Sequence, residues 1–158
     1  MKNLYRQSST ILGQSAAQIV APTDTSENVL ATISVTNGIM TGAGCIRWDV
    51  VLSTDNNANA KTLRIRLGGI GGSVLFTRSI TSTTGNTLLG RTCNRNSASS
   101  QYTWLVTGST HGGGVFASGA PTVTSVDTTS TQSLVITMQK ATGADAVALE
   151  AYSVELVK

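Results

Sequence analysis

Lys61-Thr62-Leu63-Arg64-Ile65-Arg66-Leu67-Gly68-Gly69 carries the cleanest alternation of apolar and polar residues in this chain. Leu63, Ile65 and Leu67 alternate with Thr62, Arg64 and Arg66. A pleated strand puts the three aliphatics on one face and the hydroxyl and both guanidinium groups on the other, whereas a helix scatters them around its circumference. The glycine pair then ends the strand in a turn. A half-buried strand of this kind needs neighbours at its edges and a second layer against its apolar face.

The flanking sequence supplies both. Val29, Ala31, Ile33 and Val35 share one face of an earlier run, and Ile46, Trp48, Val50 and Leu52 share one face of the next, with Cys45, Arg47, Asp49 and Val51 opposed. Val74, Phe76 and Ile80 alternate with Leu75, Thr77 and Ser79, with Arg78 interrupting the apolar side. Leu88 and Leu89 open a run to Arg95; Tyr102, Trp104 and Val106 define another, and Leu134, Ile136 and Met138 a seventh. In the last, Val147 and Leu149 lie on one face but Tyr152, Val154 and Leu156 on the other. A β-bulge near Ala151 produces such a phase change; the alternative is a strand covered on both faces, one of them by a subunit neighbour.

Turns rich in Gly, Asn, Ser and Thr separate these runs, and the longest connection, Gly108 to Ser130, holds Val123 and Val126 as a short extra strand. Eight short strands with no helix between them require antiparallel pairing. The expectation is an all-β fold, an antiparallel jelly-roll β-sandwich of about eight strands over residues 29–158, which buries two inner faces in one core. An immunoglobulin-like sandwich ranks second, since Cys45 and Trp48 share a strand instead of framing one another across two sheets.

Residues 1–28 differ: small and polar side chains dominate and apolar ones are scattered. The stretch reads as an extended N-terminal arm that gains order from a partner, because alone it buries too little apolar surface to offset its chain entropy. Leu4, Tyr5, Arg6, Ile11 and Leu12 are the expected contacts with a neighbouring subunit or scaffold. Met1 to Pro22 has no continuous apolar core of the length a secretory signal needs, and nothing approaches a membrane span, so synthesis in a cytoplasm is expected.

At 158 residues the chain suits one domain. Charged residues are 12% of it, while serine and threonine fill 42 positions, so the polar sheet faces are largely hydroxyl. The net charge of +3 comes mainly from arginines 47, 64, 66, 78, 91 and 95. With aromatics at 4% and Trp48 and Trp104 both reading as core, the basic and aromatic footprint of a nucleic-acid binder is missing.

The residues of reactive chemistry do not gather in sequence. LGGIGGS, Leu67 to Ser73, lacks the lysine and helix of a phosphate loop and reads as a hairpin turn. His111 is the one histidine, with Asp127 its only nearby carboxylate; Asp49, Asp55, Asp145, Glu150 and Glu155 form no recognisable motif. Cys45 and Cys93 match no metal spacing and are expected as two reduced thiols, a disulfide between neighbouring strands being the alternative. No catalytic residue, cofactor or metal is expected. Arg64 and Arg66, with Arg47 and Arg78 nearby, form a positive ladder suited to pairing with Asp49, Glu150 or Glu155 across a subunit contact. The expected interface is Arg64, Arg66, Glu150, Tyr152, Val154 and Leu156.

The polar arm, the strand KTLRIRLGG (Lys61 to Gly69) and the closing strand ALEAYSVELVK (Ala148 to Lys158) together resemble small tailed-bacteriophage virion proteins. The resemblance covers roughly residues 28–158. It implies a jelly-roll domain that forms homotrimers on the virion, either as a capsid decoration (cement) protein held to the major capsid protein by its arm, or as a fibre head that recognises a host receptor. On either reading the place of action is the virion surface, with no nucleic-acid or membrane partner and no enzymatic activity.

Overall fold

The computed structural model describes residues 9–107 and 122–157. Its elements are β1 (Ser9–Ser15), β2 (Ile19–Val20), β3 (Glu27–Val35), β4 (Cys45–Thr54), β5 (Lys61–Leu67), β6 (Ser73–Ile80), β7 (Gly85–Asn94), β8 (Gln101–Thr107), β9 (Thr122–Thr124), β10 (Gln132–Lys140) and β11 (Val147–Val157). Among the described residues there is no helix. Every pairing is antiparallel. The larger sheet runs β1-β11-β4-β7-β8-β9, with β2 also on β11, and the smaller runs β3-β10-β5-β6.

Without β2 and the β8–β9 extension, the two sheets are β1-β11-β4-β7 and β3-β10-β5-β6. That is the eight-strand jelly roll expected from the alternation. The eight strands are not all the eight expected runs, however. The run at Tyr102 is an addition at the sheet edge, and the jelly roll's first strand is β1, inside the stretch read as an arm. Only Leu12 of β1 packs on the core, and Gly13 lies so close to Ile33 that an added Cβ would stand 3.0 Å from its side chain. A strand that docks through one leucine and one glycine leaves almost no period-two signal. The boundary read at residue 28 falls within β3.

Leu63, Ile65 and Leu67 of β5 meet Ile46, Trp48, Val50 and Leu52 of β4 in one core, all at most 1% exposed. Trp48 sits opposite Gly90 of β7, and its ring occupies the space of the missing side chain: a Cβ at Gly90 would fall 2.1 Å from the indole. Phe76 packs on the same indole, with ring centroids 5.4 Å apart.

Bulges correct the phase wherever simple alternation fails. In β11 the register jumps between Leu149 and Ala151, leaving Glu150 without an opposing residue. Val147, Leu149, Tyr152, Val154 and Leu156 thereby all reach the same core. Val154 and Leu156, expected at a subunit interface, are buried inside their own chain. In β3 a similar shift sends Leu30 inward and leaves Val29 41% exposed.

Two expectations are corrected by the register of the larger sheet. Cys45 and Cys93 stand directly opposite on β4 and β7 and form a disulfide, not two free thiols. On β8 the buried residues are Gln101 and Thr103, so Tyr102 and Trp104 lie on the outer face, half-buried. The inward positions are polar because they close one end of the sandwich with hydrogen bonds. Gln101 exchanges bonds with Val126 (2.8 and 2.9 Å) and donates to Asn94, Asn94 donates to Thr128, and the Thr92 and Thr103 hydroxyls meet at 2.9 Å.

Candidate functional site

Arg64 and Arg66 point out of the smaller sheet, as their alternation demands, but their partner is Glu27 of β3, two strands away across β10. Arg66 grips it with two bonds, Nε to Oε1 at 2.7 Å and Nη2 to Oε2 at 2.8 Å; Arg64 Nη1 lies 3.2 Å from Oε2, and the Thr137 hydroxyl donates to Oε1 at 2.5 Å. The Arg66 hydrogen bonds, with Thr137 and the Arg64 charge, outweigh partial burial and lower the Glu27 carboxyl to about 2. The arginine ladder is thus closed within the chain. Sequence reading missed Glu27 because it lies in the stretch assigned to the arm and meets Arg66 only after 39 residues.

The outer face of the larger sheet is organised in rows. One row carries Glu155, Arg47, Arg91 and Trp104, with Arg47 and Glu155 paired at 3.1 Å. The adjacent row carries Ser9, Val157, the Cys45–Cys93 disulfide, Tyr102 and Val123. Tyr102 and Trp104 contact each other with ring centroids 5.1 Å apart, the Arg95 guanidinium stands 6.0 Å over the Tyr102 ring, and Val123 is 57% exposed. Arg91 Nε is buried beside this patch without a hydrogen-bond partner. Arg91, Arg95 and two aromatic rings thus gather near the β7–β8 edge of this face, four strands across the sheet from Ser9 of β1.

Of the expected arm contacts, Leu4, Tyr5 and Arg6 lie outside the described residues, Ile11 is exposed and Leu12 packs on the core. Glu150 projects from the β11 bulge, where it accepts hydrogen bonds from Ser53 and Gln18 that hold its carboxyl below the ordinary value. Gln18 and Ser53, with Val20, Asp55 and Ala146–Ala148, line a shallow cleft of about 280 Å³.

A second polar group lies at the other end of the sandwich, inside it. Lys61 opens β5 on the inward face and is fully buried; Lys140 ends β10 beside it, and Asp145 is 6% exposed. Lys61 Nζ donates to the Asp55 carbonyl at 3.0 Å and to Asn57 Oδ1 at 2.5 Å, and lies 3.7 Å from Asp145 Oδ2. Asp145 Oδ1 accepts from the amides of Asn57 and Asn59 at 3.0 and 3.1 Å, and Lys140 donates to the carbonyls of Gly143 and Asp145. Burial pushes the Asp145 carboxyl up, but the two asparagine amides and the two lysines outweigh it and hold it below its ordinary value. The sequence shows only a lysine beginning a strand; that it turns inward follows from β5's own alternation, continued one step past Leu63.

Among the described residues no group of three His, Cys, Asp or Glu could hold a metal, and His111 lies outside them. No family model and no curated protein sequence matches the chain. Among solved structures the chain is similar to infectious bursal disease virus, Gx strain, at 14% identity and a TM-score of 0.45 over 97% of this chain and 32% of that one. It is similar to the VP2 subviral particle of the same virus at 12% identity and 0.42, covering 95% and 32%. A protein of unknown function from Shewanella oneidensis MR-1 aligns at 11% identity and 0.43, covering 94% and 75%. The chain thus spans about a third of the length of the two viral structures. With identities and scores this low, a functional reading rests on the chain's own residues.

Proposed function

We propose that this chain is a non-enzymatic bacteriophage virion protein, a homotrimeric capsid decoration protein that binds the major capsid protein and stabilises the head. One observation carries the reading: Ser9, which follows Leu4, Tyr5 and Arg6 in sequence, lies in the row that also holds Tyr102 and Val123 and beside the row of Arg47, Arg91 and Trp104. A short segment and a patch of aromatic rings and guanidinium groups at one end of the domain can engage one surface together. Each contact is weak, but the second forms at high effective concentration once the first is made. The charged side chains of the smaller sheet are already paired internally, which leaves this end of the larger sheet as the attachment face.

Deleting residues 1–8, or replacing Trp104 by Ala, is expected to weaken binding to stripped heads, and doing both to abolish it. Equal heat resistance of stripped and decorated heads overturns the reading. Trimer formation is checked by mass in solution. The second reading, a receptor-binding fibre head, is favoured by the Tyr102–Trp104 pair beside the connection from Asn94 to Ser100, where a sugar ring could stack. Copy number separates the two: dense coverage of the head supports decoration, and a few copies at the tail support adhesion.

A further inference from the structure

We propose that Lys61 and Asn57 become joined by an amide bond that the folded chain forms by itself, with Asp145 as the group that moves the proton. The buried end of the sandwich holds the three participants this reaction needs, each in place. Lys61 Nζ is 2.5 Å from Asn57 Oδ1. Because a carbonyl C=O is about 1.23 Å long, the amine nitrogen lies within about 3.7 Å of the Asn57 side-chain carbon, near the range of a reactive approach.

The Asn57 carboxamide is held at both ends. Its oxygen also accepts the Asn59 backbone N–H at 3.0 Å, a donor placed where negative charge develops when an amine adds to the carbonyl. Its nitrogen, the leaving group, donates to Asp145 Oδ1 at 3.0 Å. The other carboxylate oxygen, Oδ2, faces Lys61 from 3.7 Å and is buried without a hydrogen-bond partner. Folded proteins rarely leave such an oxygen unsatisfied, since the omission costs about 1–3 kcal/mol or more. Asp145 therefore bridges the amine that must lose a proton and the nitrogen that must gain one, with one lone-pair site open on the amine side.

The step balances without a co-reactant. The Lys61 ammonium passes a proton to Asp145 Oδ2, and the freed Nζ lone pair adds to the Asn57 side-chain carbon, whose π electrons move to Oδ1 under the Asn59 N–H. Collapse of that tetrahedral centre breaks the bond to Nδ2. Nδ2 takes up the proton from Asp145 and leaves as ammonia, and the surplus proton on Nζ passes by way of Asp145 to that ammonia, which departs as ammonium. The ammonium and carboxamide become a secondary amide and ammonium, with no change of oxidation state. Burial of Lys61 and Asp145 excludes water, which would otherwise compete for the carbonyl, and the bond replaces a buried cation with a neutral group. Asn59 also donates to Asp145, but it is the Asn57 oxygen that meets the lysine.

The test is intact mass spectrometry of the full-length chain after reduction of its disulfide. The expected result is a mass lower by about 17 Da, one ammonia, than the sequence requires. Trypsin is expected to leave the Lys61 bond uncut and release Trp48–Arg64 as one peptide carrying that deficit, with fragmentation placing the link between Asn57 and Lys61. Asp145→Asn, nearly the same shape, is expected to retain the full mass while keeping the wild-type circular dichroism, and Lys61→Met to retain it as well. A wild-type chain at full mass overturns the proposal. So does a deficit that persists in Lys61→Met, which marks a succinimide at an asparagine, or one located in another peptide.

Discussion

In the larger sheet, β4 and β7 are joined by the Cys45–Cys93 bond on the outer side and by the seat of Trp48 on Gly90 on the inner side. In the smaller sheet, β3 and β5 are joined across β10 by Glu27 and its two arginines. Both devices tie strands together, but one is covalent and steric while the other is electrostatic. Each sheet is therefore vulnerable to a different insult. Reductant and added volume act on the larger sheet; acid and charge removal act on the smaller.

Gly90→Ala is expected to have the largest effect. The new methyl would lie 2.1 to 2.6 Å from three atoms of a fully buried indole that is itself pinned by Phe76. Overpacking of this kind costs about 3 kcal/mol or more, read as a fall in the urea midpoint with an unchanged slope. An effect below about 1 kcal/mol would mean that the indole relocates freely and that packing does not hold this sheet.

Next in size is the disulfide. The bond spans 48 residues, and its removal by Cys45→Ala with Cys93→Ala, or by a dithiol reductant, is expected to cost about 2–3 kcal/mol. The same treatment should leave the acid sensitivity of Glu27 untouched, which is the part of this experiment that tests the contrast between the sheets.

Glu27→Gln follows, at about 2 kcal/mol near neutral pH. The folded carboxyl is lowered from 4.5 to about 2, so the stability it contributes is complete above 4.5 and lost as pH falls towards 2. Wild type and Glu27→Gln should therefore differ at neutral pH and converge near pH 2, a trend followed by thermal melts across that window. A constant gap would assign the loss to shape instead of charge. The smallest effect is expected at Arg47→Ala, because Arg47 is 42% exposed and its pair with Glu155 is screened by solvent; about 0.5 kcal/mol or less, shrinking further in high salt, is the expected reading.

How much of this was legible differs from strand to strand, and the reasons are physical. β5 lies between two neighbours over one core, and its sequence alternation matches its burial residue for residue, whereas in β10, also between two neighbours, Val135 and Thr137 of the outer face are covered as well. The β11 bulge was visible as a phase change, since an extra residue leaves a mark in period two wherever both flanks are apolar. β1 left no such mark because it meets the core with Leu12 and the bare backbone of Gly13. β8 was read with its faces exchanged: aromatic side chains favour the interior, yet here Gln101 and Thr103 take the inner positions to satisfy the carbonyls and hydroxyls that close the sandwich. Among the site residues, Arg64 and Arg66 were visible as a ladder and Lys61 sits in phase with the inward face of β5, whereas nothing in the local sequence of Glu27, Asn57 and Asp145 distinguishes them from solvated residues.

By itself, the order of residues determined that this chain is a sandwich of antiparallel strands with one mixed aliphatic and aromatic core, because alternation and turn chemistry are properties of a few neighbouring positions. Only the tertiary structure decided that Cys45 bonds Cys93, that Glu27 holds Arg66, and that Lys61, Asn57 and Asp145 converge out of water. Cys45 reaches Cys93 across 48 residues, Glu27 reaches Arg66 across 39 and Asn57 reaches Asp145 across 88, so each meeting depends on how the strands pair, and a slip of one residue in a pairing would turn the strand side chains to opposite faces.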